Sequence, residues 1–109
     1  MGAIIITKDT ELIQRVIDEI KTCYDPEIPV DVWELGLIYE LDLNDDSELK
    51  ITMTLTSPNC PVAESLPAEV ENKLKLVPGI KSAELKLTFE PTWTTDMMTE
   101  AAQLELGLM

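Results

Sequence analysis

Apolar residues between Asp9 and Cys23 recur at steps of three and four, which is the spacing of one face of an α-helix. The residues of this face are Leu12, Ile13, Val16, Ile17, Ile20 and Cys23. Thr7 or Asp9 is suited to cap the start, because a side-chain oxygen there accepts a hydrogen bond from a free N–H group. Pro26 and Pro29 then exclude regular helix. The pattern predicts a first helix followed by a stiff loop.

Two later stretches, residues 37–43 and 49–56, alternate apolar and polar side chains. This is the period of a strand with one buried face. Residues 44–48 between them are Asn, Asp, Asp, Ser and Glu, which favour a turn. The sequence therefore predicts an antiparallel hairpin.

A second helix is predicted from Cys60 to about Leu76, with a kink or a restart at Pro67. Its apolar residues fall at steps of four: Val62, Leu66, Val70 and Leu74. Residues 82–89 alternate again and predict a third strand. Residues 94–107 begin with capping residues and end on glycine, which predicts a short third helix.

The expected fold is a single α+β (α/β) domain over residues 1–109, with elements in the order αββαβα. The second helix would connect two strands as a crossover, which gives a three-stranded mixed sheet with the helices packed mainly on one face. Such a sheet leaves an edge free, and free edges invite partners.

The charge of the chain limits its partners. Eight Lys and Arg stand against 21 Asp and Glu, a formal charge of −13, and there is no His. An acidic surface serves solubility, but it also repels nucleic acid and anionic membranes, so neither is an expected partner. Without His, catalysis or metal binding must use thiolate, carboxylate, hydroxyl or backbone groups.

The expected location is the cytoplasm. The first residues, Met1 to Ile6, lack the basic start of a signal peptide, and no apolar run is long enough to cross a bilayer. Cys23 and Cys60 are the only cysteines, too few for a disulfide scaffold, which suits a reducing compartment.

Cys60 is the strongest candidate for chemistry. It follows a predicted strand and a turn, at the predicted start of a helix. Free N–H groups and the positive end of the helix dipole lower the pKa of a thiol placed there and favour its reactive thiolate. The alternative, that Cys60 is a small buried hydrophobe, stays open. Cys23 lies on the apolar face of the first helix and is expected in the core.

Three motifs carry a resemblance to a known family. They are Asp-Pro-Glu-Ile-Pro-Val-Asp-Val-Trp-Glu-Leu-Gly-Leu-Ile-Tyr (25–39), Met-Thr-Leu-Thr-Ser-Pro-Asn-Cys-Pro (53–61) and Glu-Pro-Thr-Trp-Thr (90–94). In this order they resemble the SufT and PaaD-like metal-sulfur cluster assembly family. The resemblance implies an α/β domain that acts as an accessory factor in maturation. The protein that it helps to mature would be an iron–sulfur protein or a multicomponent oxygenase of phenylacetate breakdown. PaaD-like members commonly carry a further cysteine-rich segment, and this chain stops at Met109, which favours the SufT-like branch.

The resemblance implies that Cys60 is the reactive cysteine of the family, and we expect it to act as a transient metal ligand. The candidates for lining its site are Asp25, Glu27, Thr56, Asn59, Glu90 and Trp93. Structural interpretations stay open: a polar turn for Asp25 and Glu27, and a strand end with an aromatic lid for Glu90 and Trp93.

One thiolate is too few for the four that usually hold an iron–sulfur cluster. We therefore expect no stably bound cofactor, and only transient contact with iron or an iron–sulfur cluster. The expected partners are iron–sulfur assembly proteins or client apo-proteins, and two chains pairing their Cys60 thiols would form a homodimer.

Two other functions stay open. One is a thiol-dependent enzyme, which would lack a His base. The other is a structural module that binds partners through the sheet edge and Trp93.

Overall fold

The computed structural model describes residues 3–24, 30–55 and 65–107. Its elements in chain order are β1 (Ile4–Ile6), α1 (Thr10–Ile20), β2 (Ile38–Leu43), β3 (Glu48–Met53), α2 (Ser65–Lys75), β4 (Ser82–Leu87), a 3₁₀ turn (Thr95–Met97) and α3 (Glu100–Glu105). The strands form one sheet in the order β1-β2-β3-β4. A small α+β domain with a mixed sheet was predicted, and this is confirmed.

The prediction of three strands in the order αββαβα was wrong, because β1 precedes the first helix and makes a fourth strand. β1 pairs in parallel with β2, β2 pairs antiparallel with β3, and β3 pairs in parallel with β4. The predicted hairpin of β2 and β3 is therefore confirmed. With β1 in place, both α1 and α2 are crossover helices, and the fold consists of two β-α-β units joined by that hairpin.

Helix α1 begins where the sequence predicted, because the Asp9 carboxylate accepts a hydrogen bond of 2.9 Å from the Leu12 amide. The helix ends at Ile20, and Cys23 lies beyond it in the core. Pro67 does not interrupt α2, which continues to Lys75. The predicted tail helix is instead a 3₁₀ turn and α3, separated by Met98 in an extended conformation.

One hydrophobic core lies between the helices and one face of the sheet. Its members from the helices are Leu12, Ile13, Val16, Ile17, Ile20, Leu66, Val70 and Leu74. Its members from the sheet are Ile38, Leu41, Leu43, Leu49, Ile51, Met53 and Ala83. We call the opposite side of the sheet the open face, and it carries Glu40, Asp42, Lys50, Thr52, Glu84 and Lys86.

A bulge in β2 lets this core close. Ile38 pairs with Met53 and Glu40 pairs with Thr52, so Tyr39 is an extra residue on its strand. Successive side chains of a strand point to opposite faces, so without the extra residue Ile38 and Leu41 could not both face the core. The bulge therefore buries Ile38 and sends Tyr39 toward the end of the sheet.

Candidate functional site

Five of the predicted site residues lie outside the residues that the structure describes: Asp25, Glu27, Thr56, Asn59 and Cys60. Their places in the site stay predictions. Glu90 and Trp93 are described. So are the residues next to the two segments that are not described, 25–29 and 56–64. These bordering residues define the frame of the candidate site.

The described residues on either side of the segment 25–29 lie next to each other. Tyr24 and Asp31, on either side of it, form an antiparallel bridge. The Val32 amide then donates a hydrogen bond of 2.8 Å to the Cys23 carbonyl. The residues that flank the segment 25–29 are therefore held together by backbone hydrogen bonds.

The segment 56–64 borders on the same region. The Leu37 amide donates to the Val32 carbonyl at 3.1 Å, and the Thr54 amide donates to the Leu37 carbonyl at 2.8 Å. Thr54 and Leu55, the last described residues before the segment, are buried. A short series of backbone hydrogen bonds thus connects Val32 and Leu37 of the first motif to Thr54 of the second.

The direction of α2 brings its beginning to this end of the sheet. Because β3 and β4 are parallel, the connecting helix must run back along them, and its first turn lies near the carboxyl end of β3. Thr54 extends that end of β3. Whether the first amides of the helix also face Cys60, as the sequence predicts, depends on residues outside the described ranges.

A tight turn at residues 31–36, which we call the Asp31 turn, forms one wall of this region. The Asp31 carboxylate accepts hydrogen bonds of 3.1 Å from the amides of Trp33 and Glu34. Burial raises the pKa of Asp31, and the nearby Glu34 carboxylate raises it further, whereas the backbone hydrogen bonds oppose the shift. The turn therefore holds a carboxylate that is costly to ionise.

The carboxyl-terminal tail locks the Asp31 turn in place. The Thr99 amide donates to the Glu34 carbonyl at 2.9 Å, and the Thr99 hydroxyl donates to the Glu34 carboxylate. The same hydroxyl accepts from the Ala102 amide at 3.2 Å and so caps α3. Gly36 has a φ of 77° and lies directly against the Met97 carbonyl.

Trp93 covers the other side of the same turn. Its indole N–H donates a hydrogen bond of 2.8 Å to the Leu35 carbonyl, and its ring packs against the core. Glu90 is exposed, and its amide donates to the Thr88 hydroxyl at 3.2 Å. The third motif therefore lies against the Asp31 turn, while the distance of either side chain from Cys60 stays a prediction.

Tyr39, which the sequence interpretation missed, borders an apolar cavity of about 270 Å³. Its hydroxyl donates to the Pro91 carbonyl at 2.7 Å and lies 3.4 Å from the Met97 sulfur. Burial raises the pKa of the phenol, so it is a neutral hydrogen-bond donor at pH 7. The cavity is lined by Ala3, Ile4, Trp33, Gly36, Ile38, Tyr39, Pro91, Met97 and Thr99.

No sequence rule would have found the contacts of Tyr39 with Pro91 and Met97, because these residues lie far apart in the chain. The motifs 25–39 and 90–94 did mark Tyr39 and Pro91, but only as parts of a family signature. The bulge that directs Tyr39 depends on its register against β3, which alternation alone does not specify.

Cys23 has the structural role that the sequence predicted. Its side chain is fully buried, and its Sγ lies 3.8 Å from the Glu19 carbonyl oxygen. Burial raises the pKa of this thiol, which keeps it protonated at neutral pH. Cys23 is therefore poorly suited to act as a nucleophile or a metal ligand.

Within residues 3–24, 30–55 and 65–107, no group of three or more Cys, Asp or Glu side chains is arranged to hold a metal ion. None of the helices in these ranges has the length and apolarity needed to span a membrane.

Comparison with known proteins identifies similar chains. Residues 13–103 match the model of a family described as iron–sulfur cluster assembly protein. The chain is 49% identical over 96 residues to an Fe-S protein maturation auxiliary factor of Porphyromonas gingivalis, covering 88% of this chain and 91% of the relative. It is 36% identical over 84 residues to the Fe-S protein maturation auxiliary factor SufT of Staphylococcus aureus, covering 77% and 96%.

A solved structure has the same fold. The crystal structure of a domain of unknown function, DUF59, from Bacillus anthracis superposes with a TM-score of 0.83 at 29% identity. The match covers 90% of this chain and 93% of that one. The overall fold described above is thus shared with this solved structure.

Proposed function

The chain belongs to the family of iron–sulfur cluster assembly proteins and has an accessory role in the maturation of iron–sulfur proteins; we propose that it acts through the thiolate of Cys60. In this proposal the thiolate makes transient contact with iron, with sulfur or with a cysteine of a partner. The partners are assembly proteins or client apo-proteins. The iron–sulfur cluster is cargo, not a resident cofactor.

The observation that carries this proposal is the shared frame of the three motifs. Backbone hydrogen bonds connect the borders of the segments 25–29 and 56–64 through Val32 and Leu37. Trp93 of the third motif bonds to the Asp31 turn in the same region. Motifs that are separate in sequence thus border one region of the fold, which supports a common site around Cys60.

Transient handling is favoured over storage by the state of the other cysteine. Cys23 is buried and its thiol stays protonated, so each chain contributes one thiolate at most. A cluster usually needs four. Two chains that present Cys60 together, with carboxylates such as Asp25, Glu27 or Glu90, would provide more ligands for a cluster. Alternatively, the chain docks a carrier that already holds the cluster, and then it needs no cluster ligands of its own.

We propose a binding and transfer role without catalytic turnover. The relatives are named auxiliary factors, and a chain without His lacks the usual base for a cysteine nucleophile. We also propose a cytoplasmic location, because a free buried Cys23 suits a reducing compartment.

Replacement of Cys60 tests the function in cells. The variant Cys60→Ser should keep the far-UV circular dichroism and melting temperature of the wild type, yet lower the activity of client enzymes that depend on iron–sulfur clusters. The matched control is Cys23→Ala, which should lower stability by about 1 kcal/mol or more but leave client activity intact wherever the protein is folded. Full client activity with Cys60→Ser would refute the proposed role of the thiolate.

Anaerobic reconstitution with iron and sulfide tests how the cargo is handled. We expect weak visible absorbance in the wild type that disappears on gel filtration, and none with Cys60→Ser. A cluster that survives gel filtration in a monomer, as identified by native mass spectrometry, would contradict transient handling.

A further inference from the structure

The two edges of the sheet are protected very differently. At the β4 edge, the Glu71 carboxylate of α2 accepts a hydrogen bond of 2.9 Å from the Leu85 amide, which is thereby satisfied. Glu84 and Lys86 place charges on the open face of the same strand. Charged side chains and a covering helix are the usual means by which an edge strand avoids unwanted pairing.

Among residues 3–24, 30–55 and 65–107, none provides such protection at the β1 edge. Ile4, Ile5 and Ile6 are 61%, 44% and 48% exposed. Beyond the pairing of β1 with β2, no hydrogen bond within the described ranges involves these three residues. β1 contains no charged residue and no proline, and its register with β2 is regular. No described residue pairs with its outer side, which makes this side suitable for a further strand.

The surroundings of β1 indicate which kind of strand fits. Ile4 pairs with Glu40 and Ile6 pairs with Asp42, so both isoleucines share the open face with a carboxylate of the neighbouring strand. Neither carboxylate takes part in an ion pair with another described residue. The surface next to the free edge is thus apolar close to the edge and acidic one strand further in.

We infer that the β1 edge binds an extended segment of a partner protein that carries Lys or Arg at alternate positions. The segment pairs its backbone with β1. Its aliphatic stems cross Ile4 and Ile6 and bring their cations toward Glu40 and Asp42, which lie two strand spacings, about 9.6 Å, from the backbone of the segment.

A basic partner fits this edge better than a second copy of the chain. Pairing of two β1 strands would bring together two molecules of formal charge −13, with their Glu40 and Asp42 carboxylates on the same face. Like charges at close range oppose such association, whereas a basic segment is attracted. The contacts that this inference uses are made by Ile4, Ile6, Glu40 and Asp42 and do not require the Cys60 thiolate, so the inference goes beyond the proposed function and can fail or hold independently of it.

Synthetic peptides test the inference on the full chain. The probe is a fluorescent eight-residue peptide of alternating Lys and Val, with both ends blocked. Its controls are an alternating Glu and Val peptide and a Lys and Val peptide with N-methyl groups on every second residue, which removes the donors of one backbone edge. Anisotropy at low salt should give saturable binding of the first peptide, at least tenfold weaker binding of both controls, and weaker binding as salt rises.

Two charge-matched double variants locate the contact. Glu40→Gln with Asp42→Asn should weaken binding of the Lys and Val peptide roughly tenfold, as expected for two exposed ion pairs. Glu84→Gln with Asp45→Asn removes the same net charge elsewhere and should change binding less than twofold. In NMR spectra of the wild type, the amides of residues 4–6 should shift on addition of the peptide.

Several results would overturn the inference. They are equal binding of the N-methylated peptide, equal loss in both double variants, shifts confined to β4, or no saturable binding at millimolar peptide. Self-association that strengthens with salt and is abolished by Ile5→Lys would assign the edge to a second copy of the chain.

Discussion

At the scale of single residues, the two cysteines have opposite assignments. Cys23 is fully buried with a raised thiol pKa, while Cys60 is the proposed point of contact with cargo. The apolar spacing predicted the burial of Cys23 correctly, although α1 ends at Ile20 and Cys23 lies just beyond the helix. The setting of Cys60 depends on a turn and a helix start, which apolar spacing does not specify.

Burial of Cys23 predicts its protection from alkylation. In the Cys60→Ser variant, Cys23 is the only thiol, and iodoacetamide at pH 8 should modify it on the order of a thousandfold more slowly than in urea, since labelling requires unfolding. Mass spectrometry over time measures both rates. In the wild type one modification should appear quickly and the second slowly. Rapid labelling of the native variant would show that Cys23 is accessible.

The contact between Gly36 and the Met97 carbonyl predicts a large effect of a single methyl group. Gly36→Ala would place a Cβ against that carbonyl at a φ of 77°, and we expect a loss of about 2–4 kcal/mol in the free energy of unfolding. The control is Gly107→Ala, whose φ is 73° but whose added Cβ would meet no atom within 4 Å. It should cost about 1–2 kcal/mol at most, from the strain of the left-handed conformation alone. Urea unfolding measures both, and equal losses would refute the proposed contact.

At the scale of elements, long periodic patterns were predictive and short ones were not. The apolar spacing in α1 and the alternation in β2 and β3 predicted the bounds of these elements to within a few residues. β1 has only three residues, all exposed, so it shows no alternation from which a strand could be predicted. The tail was predicted as one helix because its capping residues are plausible at Thr94, whereas the helix cap that forms is Thr99, held by Glu34 from a distant part of the chain.

The link between α2 and β4 predicts a pH-dependent stability. The Leu85 amide and then Lys75 lower the pKa of Glu71 below its ordinary 4.5, so its ionised form stabilises the fold above that pH. Glu71→Gln keeps an acceptor for the amide but removes the charge, and should cost about 0.5–1 kcal/mol at pH 7. The cost should decline below pH 4.5 and vanish below the folded pKa.

Urea unfolding of wild type and Glu71→Gln from pH 7 to pH 3 measures this dependence. Glu69→Gln is the matched control, because Glu69 lies on the same helix and, among the described residues, its carboxylate forms only an exposed ion pair of 3.7 Å with Lys73. It should change stability by less than about 0.5 kcal/mol. A cost of Glu71→Gln that is constant with pH would exclude the charge as its source.

At the scale of the whole molecule, the acidic surface predicts a response to salt. A formal charge of −13 on 109 residues destabilises the compact state by self-repulsion, which counter-ions screen. The melting temperature should therefore rise by several degrees between about 10 mM and 500 mM NaCl. If screening is the cause, KCl should raise the melting temperature by the same amount as NaCl. A melting temperature that stays constant or falls with salt would contradict this explanation.

The unequal pairing of the four strands also has a kinetic consequence. β2 and β3 are joined by a short turn and pair locally, as in Leu43 with Leu49, whereas both outer strands pair across an intervening helix. Closing a longer loop costs more chain entropy, so the central hairpin is the natural folding nucleus and the flanking strands are added to it later. The amino-terminal strand, held on one side only, is then the part of the sheet that detaches most readily during native-state fluctuations.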